Sequence, residues 1–293
     1  MMPTRSRVGI AVRREEDGAI VTEAFDVASP TGRWARWPLM RGVVSIRSAV
    51  TTGQRAMSIS ERLRWEELPR EGEPAPDEDD QLIGFWGKVA IGLGAVAGAA
   101  IQIAAFRVGP VVIAKEAGLT GAAFIVADAA IRLGLLLGTL MLLSLLRPFR
   151  NILKYHGAEH KAIATHEAGH QLTAAAAAGF SRFHPRCGTA FLVVSAFVSI
   201  AVYGAVLAIT GWFNYFALIA TRIVLAPVVT AIAFEIQRQA SIRAHGRLQF
   251  LSWPGMWAQR LTTRDPEEEQ LEVACAALAV ALEEPDAVPA GVH

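Results

Sequence analysis

Charge is scarce in this chain. Only 19% of its 293 residues are Asp, Glu, Lys or Arg, while 53% are hydrophobic and the mean hydropathy is +0.34. An average soluble domain carries about 25% charge, so that class is excluded. Cysteine is nearly missing. Cys187 and Cys275 are the only two, which excludes a scaffold built on disulfides. A G-x-x-x-x-G-K-[ST] phosphate loop is absent from the sequence, which removes nucleotide-driven readings. No internal or inverted repeat is visible, which argues against a repeat-built transporter. The chain opens without a charged n-region, short apolar h-region and small-residue cleavage site. We therefore expect no cleaved signal peptide, with the first span acting as its own signal.

What the chain does have is apolar length. Residues 82–106, 122–146, 190–210 and 212–234 each approach the ~20 apolar residues that cross a bilayer. Four such blocks predict a mainly α, polytopic membrane protein with the lipid bilayer as its first partner. Lys and Arg set the expected orientation. Arg41, Arg47, Arg55, Arg62 and Arg64 precede the first block, and Arg147, Arg150, Lys154 and Lys161 follow the second. Arg238, Arg243 and Arg247 follow the fourth, whereas the other two connections hold only Arg107 and Lys115. The expectation is a cell-membrane protein, multi-pass, with both termini and the connection after the second span in the cytoplasm. No nucleic-acid partner is called for.

The remaining segments divide as follows. Residues 1–65 read as a β-hairpin turning at Asp17 and Gly18, then an interfacial amphipathic helix studded with arginine. Residues 66–80 are acidic and proline-bearing, a linker. The first transmembrane pair is expected within 81–150, a cytoplasmic histidine-rich helix and turn in 151–189, the second pair in 190–236, and a cytoplasmic segment with a final helix in 237–293. Asp265, Pro266 and Glu268 suit the N-cap, N1 and N3 positions of that helix. Asp128, Arg132 and Arg222 lie inside spans, where a charge must find a partner, so at least one pairing across helices is expected. Gly94 with Gly98, and Gly134 with Gly138, have the spacing of close helix contacts. Pro227 should kink the fourth span.

Chemistry concentrates in residues 155–170, which hold four of the seven histidines. H-x-x-E-H runs through His156, Glu159 and His160, and H-E-x-x-H through His166, Glu167 and His170. On one continuous helix at about 100° per residue, all six would share a face. His156 and His160 are one turn apart, the spacing at which two imidazoles share a metal, and His156, His160 and Glu167 form the narrowest grouping. His184 and Cys187 add an H-x-x-C pair just before the third span, able to fold back onto that face.

The runs YHGAEHK at 155–161, HPRCGT at 184–189 and PGMWAQRLTTR at 254–264, with PLMRGVV at 38–44, resemble the YqhQ-like family of bacterial and plastid membrane proteins. The resemblance covers roughly residues 8 to 283. It implies the membrane topology and a metal site in a family of unknown function, described generically as predicted metal-dependent enzymes. His156, Glu159, His160, Glu167, His184, Arg186 and Cys187 match the family pattern, while His166 and His170 depart from it.

The leading reading is thus a membrane-bound, metal-dependent enzyme of hydrolase type. A divalent metal, zinc by its donor set, would be held by His156 and His160 with Glu167, His184 or Cys187. Glu159 would be the general base. A site facing the cytoplasmic headgroup layer makes a lipid or a membrane-protein segment the natural substrate. The alternative is a non-enzymatic, metal-stabilised scaffold or assembly factor, and the fourth ligand discriminates between them: water for an enzyme, protein for a scaffold. H-E-x-x-H also resembles site-2 intramembrane proteases. Their motif lies within a membrane helix, however, and their later Asp-Gly partner is missing here.

Overall fold

The computed structural model describes residues 1–4, 6–27, 37–65, 85–185, 187–188, 190–242 and 253–283. The expected acidic linker at 66–80 lies outside them. The chain is mainly helical, with a small N-terminal sheet. Strands β1 (Met2–Pro3), β2 (Arg7–Arg13) and β3 (Ile20–Asp26) form an antiparallel sheet in the order β1-β2-β3. The expected hairpin is β2 and β3, registered with Ile10 opposite Glu23. The added two-residue β1 pairs Met2 with Gly9. A hairpin alone is marginal, and this one is covered on both sides. Val8, Ile10 and Phe25 meet Ala56, Ile59 and Leu63 of helix α1 (Pro38–Trp65). Met2 and Ala11 meet Leu271, Ala274 and Leu278 of helix α11 (Glu268–Leu282). A Cβ on Gly9 would collide with the carbonyl of Ala277, so sheet and helix touch backbone to backbone.

Helices α2 (Phe85–Ile103) and α3 (Gly109–Glu116) are joined through a π-helical turn at Ala104–Val108 into one candidate span, Gly92–Glu116. Its helix runs on to Glu116, beyond residue 106 where the first apolar block ends. Arg107 and Lys115, expected in a connection, are helical instead. The hydropathy window stopped at the first arginine, but both side chains are satisfied by the neighbouring helices. Lys115 donates to the Phe213 carbonyl and lies over the Tyr215 ring.

Helices α4 (Gly121–Leu145) and α7 (Ala190–Thr210) are the second and third candidate spans. The fourth is broken. Helices α8 (Tyr215–Val224) and α9 (Ala226–Ile242) meet at an angle of 47°. The break falls at Leu225, two residues before Pro227, whose ring removes an N–H and crowds the preceding turn. Among the described residues there are therefore three helices long and apolar enough to cross a membrane, or four if the bent pair is one span. Their outer faces are apolar: Leu93, Val96, Val126, Leu142 and Phe216 are all exposed, a surface that lipid can cover and water cannot.

Inside the bundle, Val194 and Val198 of α7 pack on Val229 and Ala233 of α9. The expected glycine contacts are not where the helices meet. A Cβ at Gly94, Gly98, Gly134 or Gly138 would meet nothing among the described residues, whereas one at Gly204 would press on Ile125. The end of the bundle where α4 stops and α7 starts carries helix α5 (Arg147–Glu167), the single turn α6 (Ala174–Ala178), α10 (Trp253–Thr262) and α11. The last of these begins two residues later than expected. Glu267 is its N-cap and forms a capping box with Gln270, because both side chains reach the orphan N–H groups of the first turn.

A His/His/Cys cluster at one end of the bundle

Helix α5 starts at Arg147 with Pro148 in its first turn, a position where the missing N–H costs nothing. It then runs uninterrupted past His156 and His160, so the two imidazoles lie one turn apart, ring centroids 4.5 Å from each other. The helix ends at Glu167. Gly169 follows with φ +74°, and its N–H and that of His170 close back onto the carbonyls of His166 and Thr165. His170 is therefore beyond the helix, exposed and stacked at the ring of Phe180, and His166 is exposed as well. The single six-residue face read from the sequence does not extend to His170, because the glycine terminates the helix first.

The turn after α6 brings Cys187 in from the other side. Its N–H bonds the His184 carbonyl and its own carbonyl accepts from Ala190 N, which seats the buried thiol at the mouth of α7. Cys187 Sγ is 3.3 Å from His156 Nε2. One ligand atom from each of His156, His160 and Cys187 lies within 4.8 Å of the others, a group that can hold a metal ion.

The chemistry of the donors fits. His156 Nδ1 is 2.7 Å from the Thr262 carbonyl, and His160 Nδ1 is 2.6 Å from the Arg182 carbonyl. A carbonyl only accepts, so each Nδ1 carries the proton and each Nε2 is left with its lone pair. This is the outer support that ligating histidines commonly show. Tetrahedral zinc with bonds of about 2.0 and 2.3 Å separates its ligand atoms by roughly 3.3–3.7 Å, and the His156–Cys187 pair is already at 3.3 Å.

Burial pulls the His156 pKa down. The hydrogen bond and charge of Cys187, the Thr262 carbonyl and Glu159 outweigh it, so the net direction is up. The second cysteine, Cys275, is a free thiol in the α11 core, raised by burial.

The remaining candidates lie around this trio. His184 is buried, its ring centred 5.8 Å from that of His160, and its Nε2 is 3.4 Å from Glu167 Oε2. Glu167 thus reaches His184 beside the three. Glu159 projects toward the sheet, where its Oε1 accepts from the Met1 amine at 3.1 Å.

Residues outside the sequence candidates hold the site together. Gln259, wholly buried, grips the His184 backbone at both ends: its Oε1 accepts from His184 N and its Nε2 donates to His184 O, each at 2.8 Å. Arg182 donates to the Thr263 carbonyl. The last carbonyls of α10, orphaned by helix geometry, thus become acceptors for the site. Gln259, Thr262 and Thr263 lie within the 254–264 run that carries the family resemblance, the one signal that pointed to them. Gln259→Leu should cost about 1–3 kcal/mol in denaturant unfolding, chiefly by taking the acceptor from the buried His184 N–H. Gly157 faces the Arg264 carbonyl so closely that a Cβ would collide with it. Gly157→Ala should cost about 1–3 kcal/mol as an overpacked contact and weaken metal binding, because the same connection carries the Thr262 carbonyl.

A family model described as a protein of unknown function, DUF1385, matches residues 37–284. The uncharacterized protein YqhQ of Bacillus subtilis (strain 168) is 31% identical over 244 residues, covering 81% of this chain and 74% of that protein. No solved structure matches.

Proposed function

The chain belongs to the DUF1385 family, and from that premise we propose that it is a membrane-bound, metal-dependent enzyme of hydrolase type. The observation that carries this reading is the His156, His160 and Cys187 trio. Two imidazoles and a thiolate form a mixed N/S donor set that suits zinc, and three protein donors leave a fourth position for water or substrate. Bound there, zinc would supply Lewis-acid and water-activating chemistry.

The chain's own residues do the rest. The Thr262 and Arg182 carbonyls fix both histidine tautomers and aim each Nε2 inward. Cys187 must give up its proton to ligate, so binding is coupled to proton release. Glu159 is the proposed general base, one residue from His160 on the same helix and close enough to raise the His156 pKa. To act, it must exchange the Met1 amine for the substrate side. The Lys and Arg distribution supports a cytoplasmic orientation for this end of the bundle and for both termini. The site lies where α4 ends and α7 begins, so the proposed substrate is a lipid or a membrane-protein segment at the headgroup layer.

A scaffold is the second reading, favoured by the His184–Glu167 pair beside the trio, which can close the fourth position. Chelation separates the two. Purified protein would be stripped with a chelator, reloaded with zinc, and followed by thermal unfolding and by turnover of fluorogenic phospholipids and quenched membrane peptides. The enzyme reading expects turnover that disappears on stripping and in Glu159→Gln, with little change in Tm. A collapse of Tm on stripping, with no turnover by the loaded protein, establishes the scaffold instead.

A further inference from the structure

A second polar cluster lies inside the span bundle, away from the His/His/Cys site. Asp128 of α4 accepts from Arg222 of α8 at 2.8 Å and from Arg132, one turn along its own helix, at 3.0 Å. Arg107 joins them from the π-helical turn, donating to the Tyr203 hydroxyl and to the Arg222 carbonyl. That carbonyl also accepts from Tyr203 and sits at the α8–α9 break. A π-turn and a broken span, each uncommon, thus converge on the same three arginines.

The charges do not balance. Among the described residues, one carboxylate meets three guanidinium groups, leaving a formal excess of two positive charges. Asp128 and Arg222 each lie seven residues, about 10 Å, from the start of their helices. This is hydrocarbon depth, where such an excess is costly. Arg222 is 3% exposed, and its Nε is buried without a hydrogen-bond partner, as is the Nε of Arg132.

Beside Arg222 is a cavity of about 20 Å³ whose wall is largely apolar, Phe124, Leu207 and Leu218 among it, with Asp128, Tyr203, Thr221 and Arg222 as its polar part. Arg107 and Arg132 stand behind this lining, and the cavity reaches Thr210 and Trp212 at the α7–α8 connection. A water-sized particle needs about 10–15 Å³. The connection is at the opposite end of α7 from Cys187, so the cavity is reached from the other side of the bundle.

We propose that this cavity is a binding site for a small monatomic anion, chloride-like in size, held by Arg222 and the excess positive charge of Arg107 and Arg132. The anion supplies the charge that Asp128 alone does not, and a space of about 20 Å³ is on the scale of one water-sized particle. The site is independent of the metal reading.

The test is thermal unfolding of the full chain in phospholipid nanodiscs, in sodium chloride against sodium gluconate at equal ionic strength, with a sodium phosphate arm. Chloride should raise Tm saturably by about 2–4 °C, and phosphate should not. The rise should vanish in Arg107→Gln and grow in Asp128→Asn, which loses its internal counter-charge. If Asp128→Asn yields no folded protein, Arg107→Gln decides. Equal Tm in chloride and gluconate, an undiminished rise in Arg107→Gln, or an equal rise with phosphate would each overturn the proposal.

Discussion

His160→Ala should purify without metal, and the wild-type chain with about one ion per chain. His160 is the most buried of the three α5 histidines, 4% exposed, and its Nδ1 is already anchored to the Arg182 carbonyl, so its Nε2 is held in place to ligate. Losing a partner that merely supports a ligand costs 10–100-fold in metal affinity. Losing the ligand itself should exceed that, by at least about two orders of magnitude. Elemental analysis of both proteins, purified side by side, reads this as about one ion per wild-type chain against a small fraction of one. Cys187→Ser should behave similarly for zinc, since it exchanges the softer donor for a hydroxyl. Wild-type protein that carries no metal, and takes none up from micromolar zinc, would sink the metal site and with it the enzyme reading.

Part of this site could be read from the chain alone. The i,i+4 spacing of His156 and His160 places both on one face of any helix, and the His184–Cys187 spacing marked a turn able to return to it. Both features are local, and local geometry is what sequence encodes most directly. The reading went wrong where it assumed that the helix continued. Gly169 takes a left-handed conformation that ends α5, so His170 and the second protease-like motif never form a helical pair. What could not be read was the support. Gln259 reaches His184 across 75 residues, and the carbonyl that orients His156 belongs to Thr262, 106 residues away. A backbone carbonyl has no signature in its own side chain, so no spacing rule could have found it.

The membrane fold was legible for the same reason and up to the same limit. Apolar length located the spans, and Pro227 located the break between α8 and α9. The first helix runs past Arg107, where the apolar block ends in the sequence, because a guanidinium with Tyr203 and a helix carbonyl as partners can stay within the bundle. Intramembrane pairing of Asp128 was expected and is observed, with Arg132 and Arg222 both engaged. The third arginine was not expected, and it raises the excess positive charge of the cluster from one to two.

Asp128→Ala should be the most destabilising single change in the spans. Asp128 is 9% exposed at its side chain, and its partners Arg222 and Arg132 are 3% and 11% exposed, so its removal leaves two guanidinium groups buried without a carboxylate. Breaking a buried pair from one side costs about 3–5 kcal/mol, because the surviving charge keeps its desolvation penalty. At the roughly 2–4 °C per kcal/mol expected for a chain of this size, Tm should fall by about 6–20 °C. The control is Arg62→Ala, which removes the 2.7 Å pair with Glu23 at a site 33–51% exposed and should cost no more than about 1 kcal/mol. The double variant Asp128→Ala with Arg222→Met should recover part of the loss, since it removes the stranded charge along with its partner. Unfolding in matched nanodiscs measures the wild type, Asp128→Ala, Arg222→Met, their double and the Arg62→Ala control. A loss below about 1 kcal/mol for Asp128→Ala, or single-variant losses that simply add in the double, would show that these charges are solvated rather than held within the bundle.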